Sequence, residues 1–295
     1  MNADKASMRR FLVGVIAVLA LGMAAKADDA HPAFWTIHGS RGTVYLISSL
    51  HLLPPGTDWH RPEIDHAMQT ADSFVFEVPT GDSERDEETK FIYANGLLPR
   101  GEKLSAKLDD DGRRDFRRAL DLAGMDAVNL DQKQPWLAEV VLTVQAMYRH
   151  NYSARHTPEG EAHAFASTYG RDIRYLDTTR QQLEFLQGAD PSRGIDQFRT
   201  VLADFPNQPA RERRFVQAWA AGDVTLTAQL IAQGLHDLPD EQGRLDARNR
   251  DWTGQIERML REDRTFYVAV GIAHLVGAAG VPALLRADGV SVDGP

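Results

Sequence analysis

The clearest pattern along this chain is a change of period. Residues 43–50 (TVYLISSL) form a β-branched, apolar run behind the break at Gly42, and they predict a strand. A Pro54-Pro55-Gly56 loop follows. Pro62 then opens a predicted helix to Ala71, at an early position where proline's missing N–H does no harm. Residues 73–78 (SFVFEV) make the next strand. A strand–helix–strand unit of this kind normally yields parallel strands with a right-handed crossover.

Beyond it the period lengthens. Apolar residues recur at spacings of three and four over 109–123, 134–148, 159–169, 179–188, 192–203 and 209–221, each predicting a helix. A short strand at 172–176 interrupts them, and a long helix is expected over 240–261. The β pattern returns at 265–270 (TFYVAV), followed by a glycine turn, a short helix near 282–286 and a last strand around 289–292. The predicted class is α/β: a mixed, partly parallel sheet with strand–helix–strand units at both ends of the chain and a helical middle.

The first 27 residues change the picture of where this fold operates. Lys5, Arg9 and Arg10 make a basic start, residues 11–24 an apolar run, and Ala25-Lys26-Ala27 a small-residue cleavage site. That is the pattern of a secretory signal peptide cut after Ala27, and the apolar run is short for a membrane span. The expectation is a periplasmic or secreted protein, one domain over 28–295, with no stable membrane anchor after cleavage. Removing Lys5, Arg9, Arg10, Lys26 and Asp4 takes the net charge from −9 to −12, which disfavours nucleic acid and anionic membranes as partners. The chain has no cysteine, which excludes disulfides, thiolate catalysis and cysteine-ligated zinc.

Candidate chemistry then gathers at one place. His51 follows the first apolar strand, Glu77 lies near the end of the second, and His274 follows the C-terminal strand. In open α/β sheets ligands bind outside the carboxyl ends of parallel strands. The two histidine segments also echo each other, SSLHLL against GIAHLV. Two imidazoles and a carboxylate on one rim suit a divalent metal ion. They suit equally a metal-free acid/base site in which a carboxylate orients a histidine. No Gly-x-Ser-x-Gly elbow, His-Glu-x-x-His helix or Gly-x-Gly-x-x-Gly turn is present, which removes the common serine-hydrolase, zinc-protease and dinucleotide readings.

The segments GTVYLISSLHLLP, SFVFEV and FYVAVGIAHLVGAAGVPALLRADGVSV together resemble the TraB/GumN family, related to the pheromone-shutdown and Tiki proteins. Further matches are Gly160-Glu161 at a helix start, Leu176-Asp177-Thr178 with Gln182, and Arg248-Asn249-Arg250-Asp251-Trp252. The resemblance spans essentially the whole chain after residue 27. It implies two Gly-x-x-His motifs plus a glutamate, a fold akin to erythromycin-esterase-like enzymes, and, for some members, metalloprotease activity. The second motif is intact as Gly271–His274, and the glutamate is Glu77. In the first, Ser48 stands where the family has glycine; Asp177 replaces a family glutamate.

The reading that follows is metal-dependent hydrolysis of a peptide or other acyl substrate. His51, Glu77 and His274 would hold the ion, Glu77 alternatively serving as general base, with Arg248 stabilising an oxyanion and Glu161 a further candidate. Asn249 is one residue beyond Arg248 and so about 100° further round the helix, so only one of the two is expected to face the site. Trp252 is expected in the core. The alternatives are a metal-free, esterase-like hydrolase with a histidine base, and a non-enzymatic exported protein that binds a peptide or assists surface-polysaccharide biology.

Overall fold

The computed structural model describes residues 29–79, 82–188, 190, 194–236 and 238–295. The expected signal peptide over 1–27, its cleavage after Ala27, and the first residues of the helix expected from 192 lie outside the described residues.

The centre is a six-stranded sheet with the order β4-β3-β5-β2-β1-β6. β2 (Thr43–Ser49), β3 (Ser73–Phe76), β4 (Asp172–Tyr175) and β5 (Thr265–Gly271) run parallel. β1 (Phe34–His38) is antiparallel to β2, and β6 (Ser291–Asp293) is antiparallel to β1. The strand–helix–strand unit therefore does yield parallel strands, but β2 and β3 are not neighbours. β5, from the far end of the chain, slots between them, pairing Thr43↔Thr265 through Ser49↔Gly271 on one side and Ser73↔Phe266 on the other. Its run from Phe266 to Gly271 is buried throughout. This is why the sequence there is continuously apolar rather than alternating: a central parallel strand is covered on both faces.

Helices complete the layers. α1 (Pro62–Thr70) buries Ile64 and Ala67, and its proline sits in the first turn. α2 is Asp82–Asn95. α5 (Pro158–Thr168) is capped by Thr157, whose hydroxyl accepts from the Gly160 N–H at 3.0 Å. Phe165 of α5 meets Phe74 of β3 at a ring separation of 5.8 Å, and Phe74 meets Tyr267 of β5 at 5.3 Å. α6 (Thr179–Gln187) starts from a full capping box between Thr178 and Gln181. α10 (Pro239–Met259) sends Trp252 and Ile256 into the sheet's core.

A second hydrophobic cluster lies in the helical middle. α3 (Asp110–Ala123), α4 (Pro135–Arg149) and α7 (Gly194–Asp204) pack around Phe116, Leu142 and Phe198, with Phe116 edge-on to Phe198 at 6.0 Å. α8 (Gln208–Ala220) returns to the sheet, where the Trp219 indole N–H donates to the Ser48 carbonyl at 3.3 Å. α9 is Val224–Leu235, and α11 is Val281–Ala287.

The structure adds β1, α2 and α9 to the elements expected from the sequence. α2 (DSERDEETKFIYAN) has only Phe91 and Ile92 as large aliphatic or aromatic core candidates before its final Tyr, too few for a 3.6-residue stripe. α9 opens with Val-Thr-Leu-Thr, whose β-branched residues mask a helix that Asp223 nevertheless caps by accepting from the Leu226 N–H at 2.8 Å.

Candidate functional site

Four parallel strands end on one edge of the sheet, and each delivers a polar residue there. β2 leads to His51, β3 to Glu77, β4 to Asp177 and β5 to His274 by way of the single 3₁₀ turn Ile272–His274. The β3–β4 pairing carries on past the strands, the Asp177 N–H donating to the Glu77 carbonyl at 2.8 Å. Glu77, Asp177 and His274 are buried, whereas the His51 side chain is 61% exposed.

The three groups expected to work together do converge, around Gly271. A Cβ on this glycine would lie 3.1 Å from Glu77 Oε1, 3.7 Å from His51 Nε2 and 4.0 Å from His274 Cδ2. Its backbone is ordinary, φ −58° and ψ 135°, so glycine is needed here for space rather than for conformation. The Gly271 N–H also donates to Glu77 Oε1 at 2.6 Å. Ser48, in the first motif, is different. The register pairs Ser49, not Ser48, with Gly271. Ser48 is wholly buried and its hydroxyl has no hydrogen-bond partner.

His51 is held from the side by a residue the sequence reading overlooked. Its Nδ1 faces Glu159 Oε2 at 3.2 Å. The start of α5 that carries Glu159 is clipped to the end of β2, the Glu159 N–H donating to Ser49 Oγ at 3.4 Å. The Glu159 hydrogen bond, helped by the charges of Glu77 and Glu159 and opposed by desolvation and Arg248, pushes His51 up to about 9. Glu161, the acidic residue picked from this same helix start, is placed elsewhere: its oxygens meet His60 Nε2 at 3.1 Å and His156 Nδ1 at 3.3 Å. Both acids lie in the first turn, where the helix dipole favours either. Two residues apart they point about 200° apart, and only the tertiary structure tells which one meets the rim.

His274 has the opposite environment. Burial lowers it to about 4, with Arg248 and His51 acting the same way and Glu77 opposing them. Its Nδ1 lies 2.6 Å from Asn249 Oδ1, and Trp252 sits over the ring at a centroid distance of 4.1 Å. Arg248 is packed between Phe185 and Trp252, with its guanidinium 5.0 and 4.7 Å from their ring centres. Its Nε donates to Asp177 and its Nη2 to Gln182 Oε1 at 2.6 Å; Nη2 also stands 3.6 Å from Glu77 Oε2. Arg248 is thus the buried counter-ion of Glu77 and Asp177.

The expectation that Arg248 and Asn249 would not both face the site is overturned. Arg248 reaches Glu77, which follows β3, and Asn249 reaches His274, which follows the neighbouring strand β5, so two successive residues of α10 serve two adjacent strand ends. Trp252 is a core residue, as expected, yet it also touches His274 and Arg248. Beside the rim, two shallow concavities of about 410 and 290 Å³ share Asp177 and Gln181; the smaller is lined by Arg248, Phe185 and Arg244.

The donor kinds at the rim, two imidazoles and a carboxylate, are those that hold zinc. Their arrangement does not make a ligand set: among the described residues no three His, Cys, Asp or Glu side chains stand at a spacing that holds a metal ion. Glu77 Oε1 is engaged by the Gly271 N–H and Oε2 faces Arg248.

A family model described as TraB/PrgY/gumN matches residues 33–294, nearly the whole chain. No curated protein matches the chain, and no solved structure does.

Proposed function

Since the chain belongs to the TraB/PrgY/gumN family, we propose that it is an exported hydrolase of peptide or other acyl bonds, working by acid/base chemistry at the His51–Glu77–His274 rim. The observation that carries this reading is the convergence of the three groups beside Gly271. The two imidazoles have opposite characters, as an acid and a base require. His274, buried and neutral beside the Glu77 carboxylate, accepts the proton of the attacking water. The water oxygen bonds to the acyl carbon. His51, on the solvent side and held as an imidazolium by Glu159, protonates the leaving nitrogen or oxygen as its bond to carbon breaks. The charge of Glu77, which faces Arg248 at 3.6 Å, offsets the cation forming on His274. The proton balance is restored from solvent through exposed His51.

A second, metal-dependent reading needs His51, Glu77 and His274 to rearrange around a divalent ion that would polarise the substrate carbonyl, because as they stand they make no ligand set. Hydrolysis of ester and peptide probes, with metal analysis of the same preparation, separates the two. Metal-free protein that turns over, and loses turnover in His274→Ala and His51→Ala, supports the acid/base reading. Loss of turnover on chelation with recovery on adding a divalent ion supports the second. Peptide binding without turnover supports instead a non-enzymatic binding role, the polysaccharide-associated one included. N-terminal sequencing of exported protein tests export, with Asp28 expected first.

A further inference from the structure

We infer that Asn249 is the positioning residue that sets the tautomer of His274, presenting Nε2 as the proton acceptor; this rests on the reading of His274 as the base. The amide of an asparagine has a donor end and an acceptor end, and either could face an imidazole nitrogen. Here a third group removes the ambiguity. Asn249 Nδ2 lies 2.9 Å from the Ala279 carbonyl oxygen, which can only accept. The end facing His274 is therefore Oδ1, at 2.6 Å from Nδ1. Oδ1 has no hydrogen to give, so Nδ1 carries it, and in a neutral imidazole Nε2 is then bare.

Each part of this relay is itself fixed. Ala279 belongs to a closed turn in which the Gly280 N–H donates to the Gly277 carbonyl at 3.2 Å. A Cβ on Gly280 would stand 2.8 Å from Leu275 C and from Val276 N and O, so the turn closes only on glycine. Asn249 is buried, and its own carbonyl accepts from the Thr253 hydroxyl at 2.8 Å. Trp252, three residues on and so on the same side of α10, lies over the imidazole and holds its plane. The two ends of the Asn249 amide are both occupied, one selecting the tautomer and the other keeping the amide from turning over.

Long-range ¹H–¹⁵N correlation spectra of the full chain labelled on imidazole nitrogen report each ring's tautomer directly. The chain has ten histidines, and the His274 signals are those absent from His274→Gln. The expected pattern for His274 is a protonated Nδ1 and a bare Nε2. Asn249→Leu removes the acceptor and should shift the ring to the Nε2–H form or to a mixture. Asn249→Asp keeps the shape but not the donor, and should give an imidazolium signal at a pH where the parent ring is neutral. An Nε2–H ring in the parent protein, or an unchanged tautomer in folded Asn249→Leu, overturns the inference. Should Asn249→Leu fail to fold, the parent spectrum and Asn249→Asp still decide. With a p-nitrophenyl ester probe, Asn249→Leu should lower kcat on the order of 100-fold or more with little change in KM. The spectra need no substrate, so a chain that hydrolyses nothing would end the hydrolase reading and leave the tautomer assignment to stand or fall by itself.

Discussion

Gly271→Ala isolates the central contact of the site. At φ −58° and ψ 135° an alanine is under no backbone strain. Everything the substitution does comes from one methyl group placed 3.1 Å from Glu77 Oε1. The carboxylate must yield by a few tenths of an ångström, and it is buried, with Arg248 3.6 Å from its other oxygen. Overpacking a well-filled interior costs about 1–3 kcal/mol. The strained partner is the 2.6 Å hydrogen bond from the Gly271 N–H, a bond to a charged acceptor worth about 1.5–3 kcal/mol. The two costs overlap, and a net loss of about 2 kcal/mol is expected, a fall in Tm of about 4–8 °C for a domain of this size. The assay is a double-mutant cycle by urea unfolding with Glu77→Asp, which withdraws the carboxylate by one methylene. In that background Gly271→Ala should cost about 1 kcal/mol less. Additivity within about 0.5 kcal/mol would refute the reasoning, since it would mean that the methyl group does not press on Glu77.

Three other outcomes follow from contacts at and beyond the site. Glu159→Gln should bring His51 down from about 9 towards 6.5 in an NMR titration; the raised value means that the pair's contribution is full below about 6.5 and is lost as pH rises through about 9. Glu139 on α4 is pushed up to about 7 by burial and then by the Glu241 charge, so the stability linked to its proton is full below 4.5 and lost as pH rises through about 7. Glu139→Gln should therefore match the parent protein near pH 4.5 and unfold at higher denaturant by pH 8; equal pH dependence of the two would contradict this. Ser48→Ala removes a buried hydroxyl that has no partner and should raise stability by about 1 kcal/mol, read as a higher urea midpoint at unchanged slope.

Much of this protein is local and therefore written in its order of residues. The apolar run TVYLISSL, the prolines at 62 and 158, the Thr178–Gln181 capping box and the buried run of β5 each specify their element through neighbours a few positions away. Parallel strands send their C-terminal ends to one edge, so strand direction alone places His51, Glu77 and His274 on a common rim. What sequence spacing does not encode is which way side chains turn once helices dock. Glu159 and Glu161 have the same composition context and the same dipole, but the clip between Ser49 and α5 sends one to His51 while His60 and His156 take the other. Arg248 and Asn249 differ by one helical step, and the insertion of β5 between β2 and β3 turns that step into a bridge from Glu77 to His274. Periodicity says which face of a helix is buried. Only the packed neighbours, brought together from opposite ends of the chain, say what each residue on that face touches.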